Sequence, residues 1–276
     1  MKIKSTEIVD TFAEAFKMYG SRIIITAETK EWAMAAAQSI TGFATSVIGC
    51  KCEAGIEIEI PANASPDLRP GVSVLLFAMD SESLGKRLME RIGQCVMTCP
   101  STACYNGIDQ GNEITVGGQL RYFGDGFQIS KKIAEKQLWR IPVMDGEFLV
   151  DDIFKTKEAV GGGNILILGK DQNTTLKAAK SAVKAMREIP NIILPFPNGV
   201  VRSGSKVGSK YKALIASTND AYCPTLSSIV EKTEISKGIN SVLEIVIDGL
   251  TLNAVEEAMY IGINASIKPG IKKISA

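Results

Sequence analysis

The chain contains no histidine. That absence removes His-based triads, the usual His-containing metal sites and the commonest general base, so proton transfer falls to carboxylates, Lys, Tyr, Cys or a substrate group. Charge of one sign is also missing. The 31 Lys and Arg residues against 30 Asp and Glu leave a formal net charge of +1, which argues against a nucleic-acid or membrane-surface partner. No stretch reaches the roughly 18 apolar residues of a membrane span. The N-terminal MKIKSTEIVD carries no apolar signal core, so a cytoplasmic location is expected. The six cysteines do not form a zinc pattern, because Cys50-Lys51-Cys52 and Cys95-x3-Cys99 have the wrong spacings. Reduced thiols and no metal site are therefore expected.

What is present is an ordinary globular composition, 45% hydrophobic and 22% charged over 276 residues, enough for one large or two small domains without staples. Apolar runs of strand type alternate with helical periodicity. Arg22 to Thr26 precedes a helix expected from an N-cap at Thr29, with Ala33, Ala36, Ala37 and Ile40 on one face. Thr45 to Ile48 reads as a second strand, Gly49 to Pro70 as a loop and Val72 to Ala78 as a third strand. A helix from about Ser81 follows, with Leu84, Leu88 and Ile92 on one face, and Gly118 to Gly124 reads as a fourth strand.

The same order then returns. Residues 150–154 match 8–12, residues 164–168 match 22–26, and the helix Leu176 to Met186 matches 34 to 44. Ile192 to Leu194, Ser241 to Ile247 and a last helix with Val255, Ala258, Met259 and Gly262 on one face follow in turn. The expected fold is therefore α+β, with two ferredoxin-like (βαββαβ) lobes from an internal duplication, at 1–144 and 145–276. The second copy has no evident counterpart of the fourth strand, which would leave Asn164 to Leu168 as an open apolar edge. Cover by another subunit, a longer functional chain, or a short substitute strand within Gly270 to Ala276 would each close it.

Two regions invite chemistry. The run Gly199 to Thr225 is long, polar and glycine-punctuated between apolar segments, and is either a solvated surface loop or an ordered site. Its Ser217, Thr218, Asn219, Asp220, Tyr222 and Cys223 bring hydroxyl, amide and carboxylate groups close together before a proline-fixed turn. They suit either turn capping or the holding of a polar ligand. Glu244 stands inside the apolar run Val242 to Ile247. It is either a satisfied core carboxylate or a desolvated proton-exchanging group. Gln94 and Thr98, after the second helix, either cap its end or serve a ligand. Gly161-Gly162-Gly163-Asn164 lacks a phosphate-loop setting and reads as a close backbone approach or a turn.

The blocks ITGFATSVIGCKCEAGIE, RIGQCVMTCPSTA, RYFGDGFQ, VMDGEF, GGGNILILG, PFPNGVVRSGSKVGSKY, ASTNDAYCPT and SVLEIVIDGL together resemble formylmethanofuran:tetrahydromethanopterin formyltransferase from the N-terminus to Ala276. The spellings GCKCEAGIE, RYFGDGFQISK and VRSGSKVGSKY are closer to the type found in methylotrophic bacteria, a subunit of a formyltransferase/hydrolase complex, than to the archaeal type. The resemblance implies an acyltransferase that moves a formyl group between the amine of methanofuran and N5 of tetrahydromethanopterin. These two act as coenzyme substrates, with no tightly bound cofactor and no metal. It also implies a homo-oligomer, dimer or tetramer, with further complex subunits as candidate partners. Glu244 then becomes the expected proton-handling residue, with Asn219 and Tyr222 as candidates for positioning and oxyanion support. Gln94, Thr98, Lys206, Ser209, Ser217, Thr218, Asp220 and Cys223 become the candidate substrate-binding residues. Family members continue past the equivalent of Ala276 with a further turn and strand. A non-catalytic scaffold subunit therefore stands beside the enzyme as the second reading.

Overall fold

The computed structural model of the chain describes residues 1–133, 136–204 and 206–276. Two units arise from it, one of residues 17–159 and one of residues 1–16 with 160–276. The strand Ile153–Gly169 contributes its first part to one and its second part to the other. Strands and helices mix in both, in an α+β arrangement.

In the unit of residues 17–159, the helix Lys30–Thr41 starts where the Thr29 side chain accepts a hydrogen bond from the Trp32 amide, and it buries Ala33, Ala36, Ala37 and Ile40. These are the residues that the i, i+3, i+4, i+7 spacing selects. The helix Ser81–Arg91 starts at Asp80, which accepts from the Ser83 amide at 2.7 Å, and buries Leu84 and Leu88. Both helices share a core with a sheet ordered Glu53–Ile60, Gly71–Ala78, Phe16–Thr26, Ala103–Asn106, Gly146–Asp151, Lys136–Val143 and Ile129–Ile133. Only the pairing of Ala103–Asn106 with Gly146–Asp151 is parallel. Every residue of Gly71–Ala78 is buried, as a continuous apolar run in a strand covered on both faces requires.

Two expected strands are corrected here. Thr45 makes only an isolated bridge to Glu53, and Ser46 caps the short helix Val47–Cys50. The second strand is Glu53–Ile60, whose alternating EAGIEIEI lies in the stretch read as a loop because cysteine and glycine flank it. Gly118 to Gly124 is not a strand. It is a helical turn, Gly117–Leu120, continued by Arg121–Gly124. Leu120 packs on the core while Tyr122 and Phe123 stay exposed, and the Arg121 guanidinium stacks on the rings of Tyr122 and Trp139 at 4.5 and 4.7 Å. The place beside Phe16–Thr26 is taken by Ala103–Asn106.

In the other unit the strand order is Ile192–Ile193, Ser241–Gly249, the second part of Ile153–Gly169, Ile271–Ser275, Thr6–Ile8 and Lys2–Ile3. The helices Gln172–Met186 and Leu252–Ser266 begin at side-chain caps from Asp171 and Thr251. They bury Ala178, Ala179, Ala182, Val183 and Met186 on one, and Val255, Ala258 and Gly262 on the other.

The open edge expected at Asn164 to Leu168 is also corrected. Ile271–Ser275 pairs antiparallel with it, Ile167 opposite Ile274 and Leu166 opposite Ser275, and Thr6–Ile8 then pairs with Ile271–Ser275. This strand was hard to read because IKKIS has two lysines in five residues and only Ile271 and Ile274 as apolar anchors. Those two isoleucines are nevertheless buried in the core of this unit. Ile274→Ala should lower unfolding stability by about 2–5 kcal/mol, the usual cost of truncating a buried aliphatic side chain, measured as a shift in urea midpoint. A midpoint equal to that of the unsubstituted chain would mean that the strand does not hold the edge.

Candidate active site

The strand Ser241–Gly249 lies between two neighbours. On one side it pairs with Ile153–Gly169, Glu244 opposite Leu166. On the other, Glu244 exchanges both backbone hydrogen bonds with Val201: its amide donates to the Val201 carbonyl at 3.0 Å and its carbonyl accepts from the Val201 amide at 2.7 Å. The Glu244 side chain is 3% exposed, and its Oε1 accepts a hydrogen bond from Asn164 Nδ2 at 3.1 Å. It lines a pocket of about 30 Å³ together with Arg202, Ser203, Asn219, Tyr222, Cys223 and the aliphatic walls of Leu166, Val201 and Val242.

The loop reaches this pocket by turning tightly. Gly204 has φ +74, and a Cβ there would lie 2.7 Å from the Asn219 Cβ, so the two passes of the loop touch only because residue 204 is glycine. The Asn219 carbonyl accepts from the Tyr222 amide at 3.0 Å and from the Cys223 thiol at 3.3 Å, folding 219–223 into one turn. Tyr222 packs against the cluster of Leu166, Leu168 and Ile239. Residue 205, within the same loop, lies outside the described residues.

Four of the expected site residues, Glu244, Asn219, Tyr222 and Cys223, thus converge on one pocket. The others are distributed differently. Lys206 and Ser217 pair across a short ribbon, Lys206–Val207 with Ala216–Ser217. Lys206 Nζ donates to Asp220 Oδ1 at 2.6 Å, and this bond is the main reason the Asp220 carboxyl sits below the usual carboxylate range. Ser217 Oγ donates to the Gly208 carbonyl, and Ser209 Oγ accepts from the Tyr211 amide. Thr218 Oγ1 lies 3.3 Å from Cys223 Sγ. Gln94 and Thr98 belong to the other unit. There the Thr98 hydroxyl donates to the Gln94 carbonyl, and both residues line a mostly apolar cavity of about 800 Å³ with Met97, Phe123, Val143 and Met144.

Arg202, Ser203 and Asn164 were not singled out from the sequence. Arg202 was hidden in a loop read for its hydroxyls and amides. Asn164 was hidden behind three glycines that read as a turn but run inside the strand.

Family and structural comparisons agree over the whole length. The model described as "Formylmethanofuran-tetrahydromethanopterin formyltransferase" matches residues 1–143, and the one described as "FTR, proximal lobe" matches residues 146–276. The chain belongs to the formylmethanofuran–tetrahydromethanopterin formyltransferase family. Within that family it is 58% identical to the formyltransferase of Methylobacillus flagellatus, covering 100% of this chain and 94% of the relative. It is 49% identical to a formyltransferase/hydrolase complex subunit of Methylorubrum extorquens, over 97% of this chain and 88% of the relative. The crystal structure of the Methylorubrum extorquens formyltransferase/hydrolase complex with methylofuran superposes at a TM-score of 0.96 and 48% identity, covering 100% of this chain and 92% of that one. The formyltransferase of Methanosarcina barkeri superposes at 0.94 and 45%, covering 100% and 94%.

A second, polar cavity of about 470 Å³ lies in the unit of residues 17–159, lined by Asn106, Asp109, Glu113, Lys136, Gln137, Asp151 and Lys155. Asp151 is 3% exposed, and among the described residues only its Oδ2 accepts a hydrogen bond, from the Asn106 amide at 2.8 Å. Burial pushes this carboxyl above its ordinary value. A carboxyl that holds its proton more tightly in the folded than in the unfolded chain stabilises the fold at low pH. That contribution is withdrawn as pH climbs from the unfolded value, about 3.9, through the raised folded one. Asp151→Asn should abolish this slope, so its stability relative to the unsubstituted chain should rise from about pH 4 to pH 7 in urea unfolding. A constant difference across that range would contradict it.

Proposed function

We propose that this chain transfers a formyl group between the amine of methanofuran and N5 of tetrahydromethanopterin, and that the pocket at Glu244 is the reaction centre. The observation that carries the assignment of the centre is the convergence of the buried Glu244 with Asn219, Tyr222 and Arg202 on one pocket built by a strand and a turn. Full-length identities of 58%, 57% and 47% to named formyltransferases support the reaction.

The chemistry needs little from the protein beyond placement and charge. The acceptor amine attacks the formyl carbon, a new C–N bond forms and the carbonyl oxygen becomes an oxyanion. The old C–N bond then breaks as the leaving nitrogen regains a proton. Glu244 takes the proton from the attacking nitrogen and returns it to the leaving one, a task within reach of a carboxylate in a chain without histidine. Asn219 and Tyr222 orient the formyl group, and Arg202 brings a fixed positive charge towards the developing oxyanion. A pocket of about 30 Å³ takes the formyl group and not the coenzyme bodies, which lie outside it.

The chain is a duplication of two ferredoxin-like lobes that meet in sequence near residues 144 and 145, each lying mainly in one unit, residues 17–159 or residues 1–16 with 160–276. The strand order in each, with the first strand between the third and the fourth, supports this. No helix among the described residues is long and apolar enough to cross a membrane, and we assign the chain to the cytoplasm. Self-association, as dimer or tetramer, is supported by the exposed Val207, Tyr211, Leu214 and Ile215 on the ribbon and its tip. Association with other proteins of a larger assembly is supported by the relationship to a component of the Methylorubrum extorquens formyltransferase/hydrolase complex.

Glu244→Gln keeps shape and removes the proton-carrying group. It should lower kcat for formyl transfer by about 10²-fold or more while leaving the urea midpoint close to that of the unsubstituted chain. Undiminished turnover would remove Glu244 from the proton-handling role.

A further inference from the structure

The pairing of Ile153–Gly169 with Ser241–Gly249 is irregular at one point. Val160 lies opposite Gly249 and Gly163 opposite Ile247, so one strand advances three residues while the other advances two. One extra residue in a strand moves every later side chain to the other face, because the side-chain period is two. Here the shift sets Asn164 opposite Val246, two residues from Glu244 and therefore on the same face. Without the extra residue Asn164 would stand opposite Ile245, on the face that carries the fully buried Ile245 and Ile247.

The glycine run makes this bulge possible. Gly162 has φ +91, and a Cβ there would come within 2.8 Å of the Glu14 carbonyl oxygen. A Cβ on Gly163 would come within 2.5 Å of Val255 Cγ1. Gly162 and Gly163 thus serve to aim Asn164.

We propose that Asn164 is a positioning residue for Glu244, brought onto its face by the Val160–Gly163 bulge. This rests on the proton-handling reading of Glu244. The Asn164 amide donates to Oε1 at 3.1 Å and fixes the plane of the carboxylate towards the pocket. Being neutral, it does so without adding charge beside the titratable or charged groups that line the same pocket, Arg202, Tyr222 and Cys223. It has no proton to exchange at working pH and so acts through the carboxylate.

The test measures kcat and KM for formyl transfer in four full-length proteins: unsubstituted, Asn164→Leu, Glu244→Gln and the double variant. Asn164→Leu keeps the number and branching of the side-chain heavy atoms, with bulkier methyl ends, and removes the donor. It should lower kcat by about 10- to 100-fold, the usual consequence of losing the aim of a catalytic group, with KM within about threefold. In the Glu244→Gln background the same substitution should change the residual kcat by less than about threefold, because the carboxylate it aims is gone. Asn164→Ser, smaller and still polar, replaces the leucine variant if the latter lowers the urea midpoint, with the same expectation. Equal losses in both backgrounds would mean a structural role and overturn the proposal, as would turnover unaffected by either Asn164 substitution. If Glu244→Gln alone retains full turnover, the reading of Glu244 fails first. If it loses turnover and the Asn164 variants do not, only the positioning role falls.

Discussion

The two backbone hydrogen bonds between Val201 and Glu244 are the constraint on which the rest of the site depends. A polar stretch of this length has no core of its own and would stay solvated if nothing tied it down. Pairing Val201 with the strand fixes the start of the loop against the residue that carries the carboxylate. From there Gly204 turns the chain against Asn219, and the turn at 219–223 closes over the pocket. The loop is thus registered to Glu244 by main-chain geometry, and Asn219, Tyr222 and Cys223 line the pocket beside it.

The second constraint is electrostatic. A carboxylate that is 3% exposed needs hydrogen-bonding partners, since an uncompensated buried charge is costly. Asn164 supplies one such bond from the adjacent strand, and the bulge that places it is tolerated because glycine fills the crowded positions. The ion pair of Lys206 with Asp220, by contrast, is half exposed, and a pair of that kind adds little stability. It serves to shape the ribbon.

Much of this was legible in the sequence, and the exceptions have physical causes. Helices were read well because the cap at Thr29 and the apolar spacing of both helices agree with where they form. Glu244 stood out because a charge inside an apolar run must be explained, and Asn219 and Tyr222 were candidates in a loop too varied in chemistry to be a linker, joined to Glu244 through the family resemblance. What escaped was everything set by long-range pairing. Ile271–Ser275 is a lysine-bearing strand recognisable only from the edge it covers, and Glu53–Ile60 was obscured by its flanking cysteines and glycines. Tyr122 and Phe123 suggested a strand, yet both are exposed on a helical turn. Asn164 was invisible because its face depends on a one-residue slip between strands about 80 residues apart, and no local pattern records that.

The reaction is proposed to occur where the strand at Glu244 meets the loop at Asn219 and Tyr222. The most direct measurement is a crystal structure of the chain with an N-formyl donor and the pterin acceptor bound. The account predicts the formyl carbon in the pocket beside Glu244, with its oxygen within hydrogen-bonding distance of Asn219, Tyr222 or Arg202. A formyl group seated instead in the apolar cavity of Gln94 and Thr98, out of contact with Glu244, would contradict it.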